Sequence, residues 1–448
     1  MMRASGFTIL LLLTALLLAG CGNTTPVPGT TAQHVPAETE AGVEMTAMPA
    51  PVETQTTTEY ATAQPTLAAS DGTAIGTEAS DEVQLFAVNV GKGDALILRV
   101  GDFLGMIDTG KPWAMGSVRS ALERMGMVDK LDAVFITHTD NDHTGGLEWL
   151  AGDVPGAEVS VGNWYASAMY TGVKEGKHDA VKAAAKRDQE VVWLRRGDAI
   201  PLGETGAVLR VLAPATKYED KDDNNSLVML LESAQGRMLL TGDMELPEEA
   251  ELLGFGDDLS CSVLKVANHG DDDTTSAAFA SAASAQLALI STSSEQKPGT
   301  PDPGVISRLN AAGSRVLVTQ EGGLGIFVTL RGGVAGAEYV DFPEMPLDGV
   351  TIAGVEASDD RITLVNSGSE AADLGDYYLY SDRGDEMFLF PRGTILVPGG
   401  RLTVGTHSTE GDYDLLWNEK KVVHRKKTDV ICLYDRWGRL IDSRDNGL

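Results

Sequence analysis

The sequence predicts a layered α/β domain over residues 82–335 and a smaller all-β domain over residues 348–448. In the first domain, short β-rich runs alternate with stretches of helical spacing, a pattern that is typical of α/β layers. In the second, short strands and turns follow one another with little helix, as in a small β-sandwich. Pro343 and Pro346 lie between the two patterns and mark the predicted domain boundary.

The first domain begins with three β-rich runs that glycines separate, at 83–90, 95–100 and 103–107. A stretch of helical spacing follows, with Val118, Leu122 and Met125 on one face. The run 131–137 is largely apolar, as expected for a strand that is buried on both faces. Further strands are predicted at 208–212, 227–231, 238–240, 263–267, 287–290, 316–318 and 326–330.

The second domain has the spacing of short strands joined by turns. Its runs of β-forming residues lie at 362–365, 377–380, 387–390, 401–404 and 430–434. None of its residues makes a convincing catalytic set, so the chemistry is expected in the first domain.

The N-terminus carries the pattern of an export signal. Arg3 is followed by an apolar run at 9–18, which is too short to span a bilayer as a mature helix. Leu18-Ala19-Gly20-Cys21 then resembles the lipobox of bacterial lipoproteins, which implies a signal peptide over 1–21 and a lipid anchor on Cys21. An uncleaved N-terminal anchor is the alternative. Both place the remaining chain on the extracytoplasmic side of a bacterial cell membrane.

Residues 22–81 are predicted to form a disordered acidic linker. The segment is rich in Thr, Pro and Ala, and it lacks both Lys and Arg. With few large apolar residues it cannot offset its ordering entropy by burial. We expect it to hold the folded domains away from the membrane.

The formal net charge of −30 limits the possible partners. A polyanion would on average be repelled, which argues against a protein that coats nucleic acid through bulk charge. Two basic clusters stand out, and each is either a solvated surface or an anion-binding patch. They are Lys174, Lys177, Lys182, Lys186, Arg187, Arg195 and Arg196, and the loop with Lys420, Lys421, His424, Arg425, Lys426 and Lys427.

The most informative segment is His138-Thr139-Asp140-Asn141-Asp142-His143. It places two histidines and two aspartates directly after a predicted buried strand. These are the donors that divalent metals require, and a loop can turn them toward one point. A solvated polar turn is the alternative, but the paired histidines and the closing Gly145-Gly146 weigh against it.

This segment resembles the HxHxDH motif of the metallo-β-lactamase fold, with Asp140 in place of the second histidine. Together with Val-Gly-Lys-Gly-Asp at 90–94 and Ile-Asp-Thr-Gly at 107–110, it resembles the hydrolase domain of the competence protein ComEC and its soluble relatives. Later blocks match in the same order, at 224–228, 240–243 and 264–270.

The resemblance implies an αββα sandwich that holds two divalent metal ions, Zn²⁺ or Mn²⁺. One ion would be bound by His138 and Asp140. The other would be bound by Asp142, His143 and His269, with Asp243 bridging and Asp108 orienting the ligands. A hydroxide held between the two ions would be the nucleophile. The catalytic residues implied are Asp142, His143 and Asp243.

The chain departs from the family pattern at two places. Asn268 precedes His269 where the family usually has two histidines, and 298–303 lacks a His-Pro pair that many members carry. Asp140 also argues against true β-lactamase activity, because such enzymes carry a histidine there.

The C-terminal segments 362–368, 373–379, 390–404 and 430–442 resemble the lamin tail domain, an Ig-like β-sandwich. In bacteria such domains accompany secreted hydrolases, which implies a binding or localising role toward nucleic acid or the cell wall.

Taken together, the sequence predicts a lipid-anchored, metal-dependent hydrolase, specifically a phosphodiesterase or nuclease acting on extracellular DNA or RNA. Two alternatives stay open. One is hydrolysis of another ester or a lactam, since the fold hosts many reactions. The other is a non-catalytic surface lipoprotein that binds through its lamin tail domain.

Overall fold

The computed structural model describes residues 82–127, 130–169, 180–219, 221–343 and 349–448. The predicted signal peptide with Cys21, the predicted linker, and Lys174 and Lys177 lie outside the described residues. No helix in the described part of the chain is both long and apolar enough to span a membrane.

The described residues of the first domain form two β-sheets and seven α-helices, with a few short 3-10 turns. In chain order, its strands are β1 Val83–Val88, β2 Leu96–Val100, β3 Phe103–Ile107, β4 Lys130–Ile136, β5 Ser160–Ser167, β6 Val191–Leu194, β7 Ala199–Pro201, β8 Val208–Ala213, β9 Val228–Ser233, β10 Gly236–Leu240, β11 Val263–Lys265, β12 Leu287–Ile290, β13 Arg315–Val318, β14 Gly325–Arg331 and β15 Val334–Val340. The α-helices are α1 Met115–Arg124, α2 Asn141–Thr144, α3 Leu147–Ala151, α4 Ala180–Ala185, α5 Leu246–Phe255, α6 Ala277–Ala283 and α7 Pro303–Ala311.

Each sheet combines an antiparallel part with a parallel part. The first sheet has the order β15-β14-β1-β2-β3-β4-β5-β6, and its strands from β3 to β6 run parallel. The second has the order β13-β12-β11-β10-β9-β8-β7, and its strands from β10 to β13 run parallel. Parallel neighbours end at the same edge, so the carboxyl ends of these strands can present side chains to one site.

The two sheets pack face to face over an apolar core to which Leu85, Leu98, Leu209 and Met229 belong. A second core covers the outer face of the first sheet, where α1, α3 and α4 pack. A third covers the outer face of the second sheet beneath α5, α6 and α7. The layers are therefore helix, sheet, sheet and helix, which confirms the predicted αββα sandwich.

Every strand predicted in the first domain is present, with ends that differ by a few residues at most. The prediction missed β5, β6, β7 and β15. Strand β5 contains Gly162 and Asn163, which interrupt its apolar run, while β15 is mostly half-exposed. β5 and β6 form through parallel pairing with strands that are distant in the sequence, which a local pattern does not reveal. β7 and β15 instead pair antiparallel with the strands next to them in the chain, β8 and β14.

The second domain consists of β-strands, in agreement with the predicted Ig-like sandwich. Its core includes Leu364, Tyr377, Phe390 and Trp417. The strands are β16 Val350–Glu356, β17 Arg361–Asn366, β18 Ala372–Asp373, β19 Tyr378–Ser381, β20 Met387–Leu389, β21 Ile395–Leu396, β22 Arg401–Gly405, β23 Leu415–Leu416, β24 Val430–Tyr434 and β25 Leu440–Asp445. They form two four-stranded sheets, β16-β17-β22-β23 and β20-β19-β24-β25, and the small pair β18-β21.

Candidate metal centre

The predicted site residues gather at one edge of the sandwich, beyond the carboxyl ends of parallel strands from both sheets. Asp108 follows β3, and the segment 138–143 follows β4. Asp243 follows β10 and His269 follows β11, so the second sheet contributes as well. The fold therefore brings together residues that are separated by more than half of the domain in sequence.

The segment after β4 is shaped by a single helical turn and two glycines. The carbonyl oxygen of Asp140 accepts from the amides of His143 and Thr144, both at 3.0 Å. Gly145 and Gly146 follow because no side chain fits there. A Cβ on Gly145 would lie 2.3 Å from Pro112 Cδ, and one on Gly146 would lie 2.5 Å from the carbonyl oxygen of Thr109.

The first candidate ligand group consists of Asp94, His143, Asp243 and His269, all of which are buried. Their ligand atoms lie within 4.8 Å of one another. The Nε2 atoms of His143 and His269 are 3.3 Å apart. Asp243 Oδ2 lies 3.2 Å from the former and 2.8 Å from the latter.

The outer hydrogen bonds of the two rings indicate which nitrogen carries the proton. His143 Nδ1 lies 2.7 Å from Asp108 Oδ2, and His269 Nδ1 lies 2.8 Å from the carbonyl oxygen of Ser291. Both oxygens accept, so each Nδ1 donates, and in its neutral form each ring presents a lone pair at Nε2. Two imidazole lone pairs and a carboxylate oxygen thus converge in a buried space, an arrangement that a cation stabilises.

The second candidate group consists of His138, Asp140 and Asp223. Thr137 Oγ1 donates to Asp108 Oδ2 at 2.7 Å and lies 3.0 Å from His138 Nδ1, so it accepts the His138 proton. The Nε2 lone pair of His138 is buried and has no hydrogen-bond partner among the described residues. An unpartnered buried nitrogen beside two carboxylates fits a metal ligand.

The two groups are adjacent, because the ring centroids of His138 and His143 are 4.2 Å apart. One carboxylate organises both. Asp108 contacts His143 directly and contacts His138 through Thr137, and its Oδ1 accepts from the amide of Thr137 at 2.8 Å. Asp108 thus orients one histidine in each group.

A buried lysine balances part of the negative charge. Lys265 Nζ is paired with Asp94, donates to the carbonyl oxygen of Gly242 at 2.8 Å, and lies 3.5 Å from Asp243 Oδ1. Burial disfavours its charged form, but Asp94 and Asp243 outweigh burial and raise the pKa of Lys265. The ammonium therefore stays charged and holds two members of the first group in place.

The pKa directions indicate an excess of negative charge around the histidines. Burial opposes protonation of His143, yet Asp243 and Asp108 hold its pKa well above the usual range. Burial also raises the pKa of Asp223 to about 6, with Asp243 and Asp140 adding to the effect and His138 opposing it. A divalent cation in each group would relieve this crowding.

Asp142 lies at the mouth of the site. Its Oδ2 is 3.6 Å from His269 Nε2 and 3.3 Å from Lys92 Nζ. Gln296 connects a second lysine to this region, since its Oε1 accepts from the amide of Lys92 at 3.1 Å and from Lys111 Nζ at 2.5 Å. Burial and the nearby Lys92 lower the pKa of Lys111, although Asp142 opposes them.

Five of the six predicted ligands are thus brought together in two groups, His138 with Asp140 and His143 with Asp243 and His269, while the predicted ligand Asp142 lies outside both groups. Asn268 lies in the left-handed region at φ 39°, which asparagine tolerates better than most residues, so it shapes the turn that presents His269. Sequence reasoning missed Asp94, Asp223 and Lys265 as members of the site. All three stand inside or beside the motif blocks at 90–94, 224–228 and 264–270, which is the signal that could have found them, although Lys265 also belongs to an apolar strand.

Two parts of the chain match models of known protein families. Residues 88–293 match the family model described as "Metallo-beta-lactamase superfamily", and residues 344–447 match the one described as "Lamin Tail Domain". The chain carries a metallo-β-lactamase domain and a lamin tail domain. The predicted fold and the two predicted domain types are confirmed.

Two curated relatives each match more than half of the chain. The chain is 26% identical over 262 residues to "ComE operon protein 3" of Bacillus subtilis (strain 168), which covers 54% of this chain and 33% of that protein. It is also 26% identical over 256 residues to "Competence protein ComA" of Neisseria gonorrhoeae, covering 57% and 33% respectively. The chain thus spans about a third of the length of these relatives.

Among solved structures, the chain is similar to the metallo-beta-lactamase fold protein YhfI of Bacillus subtilis. The sequence identity is 13% and the TM-score is 0.36, over 58% of this chain and 100% of that chain. A diphosphatase of the PhnP family has 15% identity and a TM-score of 0.33, over 58% and 99%.

The role of Asp108 can be tested with the Asp108→Asn variant. The new amide would place an N–H where Thr137 Oγ1 and His143 Nδ1 now donate, which favours the His143 tautomer without a lone pair at Nε2. We expect the affinity for Mn²⁺ or Zn²⁺ to fall by about 10- to 100-fold. Isothermal titration calorimetry measures it.

The matched control is Asp102→Asn, at the exposed turn between β2 and β3. It makes the same chemical change outside the site and should leave metal affinity unaltered. Equal affinities for Asp108→Asn and the unmodified protein would show that Asp108 does not orient the ligands.

Proposed function

We propose that this protein is a metal-dependent phosphodiesterase whose substrates are nucleic acids such as extracellular DNA or RNA. The observation that carries the hydrolytic part is the convergence of the His143 and His269 lone pairs with Asp243 in a buried space, beside the unpartnered Nε2 of His138. Seven ligand atoms in two adjacent groups fit two divalent cations.

The residues divide into those that would hold metal and those that would position it. His138, Asp140 and Asp223 form one ligand set, and Asp94, His143, Asp243 and His269 form the other. Two bound divalent cations would supply Lewis-acid catalysis and an activated water near neutral pH. Asp108 and Lys265 hold the ligands, and Asp142 stands at the mouth, where it can orient a reacting water.

The cations at the mouth favour an anionic substrate. Lys111 donates to a neutral oxygen, Gln296 Oε1, rather than to a carboxylate, so its charge remains available for a ligand. Lys92 is paired with Asp142, whose charge bound cations would partly neutralise. Two ammonium groups beside the candidate ligands suit the non-bridging oxygens of a phosphodiester.

The basic cluster near α4 supports this role less well. Lys186 pairs with Asp153, Arg187 donates to the carbonyl oxygen of Leu150 at 3.0 Å, and Arg196 pairs with Asp257 at 2.7 Å. These contacts are internal to the domain. Of this cluster, Lys174 and Lys177 lie outside the described residues.

The basic loop of the lamin tail domain is a second polyanion-binding candidate. Two buried carboxylates fix the backbone of this loop. The carboxylate of Asp360 accepts from the amides of Val422 and Val423 at 3.0 and 2.6 Å, and Asp429 Oδ2 accepts from the amide of His424 at 2.8 Å. The lysines at 420, 421, 426 and 427 are exposed. A held loop that presents several cations suits the backbone of a long polyanion, whether nucleic acid or a cell-wall polymer.

We also propose that Cys21 anchors the protein to the extracytoplasmic face of the cell membrane through a lipid. A Cys21→Ser variant should move from the membrane fraction to the soluble fraction and lose labelling by radioactive palmitate. Retention of both properties in the variant would contradict the anchor.

The phosphodiesterase assignment is tested with the chain that begins after Cys21 and with bis-p-nitrophenyl phosphate. We expect p-nitrophenol release with Mn²⁺ or Zn²⁺, and a loss of at least about 100-fold with EDTA or in the Asp142→Ala, His143→Ala double variant. Absorbance at the p-nitrophenolate band measures the rate.

Folded protein that binds metal but releases no product with any ion would contradict the phosphodiesterase. Release from p-nitrophenyl acetate alone would favour the alternative, a hydrolase of other esters. If metal removal left the lamin tail's binding to nucleic acid intact and neither substrate were cleaved, the non-catalytic binding lipoprotein would stand.

The roles of the two cation sets are tested by comparing a small substrate with a long one. Lys111→Gln and Lys92→Gln should each raise KM for bis-p-nitrophenyl phosphate by about tenfold, the loss expected for one charge-assisted hydrogen bond. They should leave KM for the neutral p-nitrophenyl acetate unchanged, and Lys111→Arg should restore most of the loss.

The matched control for charge is the quadruple variant Lys420→Gln, Lys421→Gln, Lys426→Gln, Lys427→Gln. It should leave both small-substrate KM values unaltered. Its affinity for a single-stranded oligonucleotide should fall, and the slope of log K against log salt should flatten by about 0.7 for each lost phosphate contact. An unchanged slope would show that the loop does not bind the polyanion.

A further inference from the structure

The two domains share a stack of three aromatic rings. Trp113 lies in the turn before α1, Tyr378 in β19 and Tyr434 in β24. The Tyr434 ring stacks on Trp113 at 6.0 Å between centroids and on Tyr378 at 5.0 Å, with interplanar angles of 12° and 10°. Both tyrosines are buried and belong to the core that covers the outer face of the first sheet. The lamin tail is therefore packed into the hydrolase domain.

The lamin tail also supplies the cap of α1. The N-cap residue of this helix is Ala114, which has no side-chain oxygen to accept from the first amides. The amide of Gly116 instead donates to Tyr378 Oη at 3.3 Å, and Tyr378 Oη donates to the carbonyl oxygen of Trp113 at 2.7 Å. A single hydroxyl group from the second domain thus caps the N-terminus of helix α1 in the first domain.

Two glycines allow the backbones to approach at this contact. A Cβ on Gly116 would lie 2.5 Å from the amide nitrogen of Gly438, and one on Gly438 would lie 2.3 Å from Ser117 Oγ. Gly438 belongs to a turn in which Asp435 Oδ1 accepts from the amides of Trp437 and Arg439, both at 2.9 Å. This turn is held internally and fits directly against α1.

The residues just before α1, which these contacts hold in place, are hydrogen-bonded to the candidate metal centre. Thr109 donates from its amide and its hydroxyl to the carbonyl oxygen of His143, at 2.6 and 2.9 Å. Gly110 donates to the carbonyl oxygen of Asp94 at 2.7 Å. Asp108, which orients the histidines, and Lys111, at the mouth, lie on this same short segment.

We propose that the lamin tail domain is a structural part of the metal centre, and that Tyr378 is a positioning residue for it. By capping α1 and holding Trp113, the tail fixes the segment 108–116, which in turn holds Asp108 against His143 and Lys111 at the mouth. This role is separate from any binding of polymers by the basic loop.

The test uses hydrogen–deuterium exchange and Mn²⁺ affinity on the chain beginning after Cys21. Tyr378→Phe keeps the ring stack but removes the cap, and it should speed exchange in peptides covering 108–124 by about fivefold, the factor expected for one buried hydrogen bond. Gly438→Ala forces a Cβ into Ser117. It should speed the same exchange and weaken Mn²⁺ binding by about tenfold, measured by electron paramagnetic resonance.

Gly393→Ala is the matched control. Gly393 also lies in the lamin tail at positive φ, 83°, but a Cβ there meets nothing within 4 Å. It imposes a comparable backbone strain without touching the hydrolase domain, so exchange over 108–124 and Mn²⁺ affinity should stay at the unmodified values.

Unchanged exchange over 108–124 in Tyr378→Phe, with the tail itself still protected, would overturn the proposal. The exchange rates of Tyr378→Phe therefore test the proposal even if Gly438→Ala fails to fold. Neither exchange nor Mn²⁺ affinity involves a substrate, so a failure of the phosphodiesterase assignment would leave this test unaffected.

Discussion

The site depends on a single buried carboxylate, that of Asp108. It accepts hydrogen bonds from the amide and the hydroxyl of Thr137 and from Nδ1 of His143. Because the Thr137 hydroxyl donates to Asp108, it accepts from Nδ1 of His138 and so sets the tautomer of that ring as well. Since a histidine binds metal only through an unprotonated nitrogen, one carboxylate prepares a ligand in each of the two groups. The position of Asp108 at the end of β3, beside the parallel strand β4, makes this possible.

Burial of so many acidic groups would be costly without nearby positive charge. Lys265 provides part of that charge permanently, between Asp94 and Asp243, while the lone pairs of the histidines leave room for cations. Metal binding and the stability of this edge of the sandwich are therefore linked, because ligands that repel one another would be neutralised by the bound ions. The pKa of His143 is raised for the same reason: a proton can relieve the crowding when no other cation does.

Most of the fold and the centre of the site could be predicted from the sequence, because their signals are local. Largely apolar runs such as 131–137 predicted buried strands, and the spacing from His138 to His143 predicted metal ligands, of which His138, Asp140 and His143 lie in the two candidate groups. The remainder depends on contacts between distant segments. Asp223 belongs to the site only because the segment before β9 lies next to the end of β4. In the sequence, Lys265 is a charged residue that interrupts an apolar strand, and only its ion pair with Asp94 explains it. The packing of Tyr378 against α1 has no local signature at all.

The two ligand groups differ in chemistry, and the difference follows from one substitution in the motif. With Asp140 in place of a histidine, the group around His138 has one nitrogen and two carboxylate donors, whereas the group around His143 has two of each. Oxygen donors suit harder ions such as Mn²⁺, and imidazoles suit Zn²⁺. Asp223, whose pKa is raised to about 6 by burial and neighbouring carboxylates, gains most from a cation. The oxygen-rich group should therefore be the one whose occupancy changes most with metal identity and pH, while the histidine pair keeps its geometry through Asp108 and Ser291.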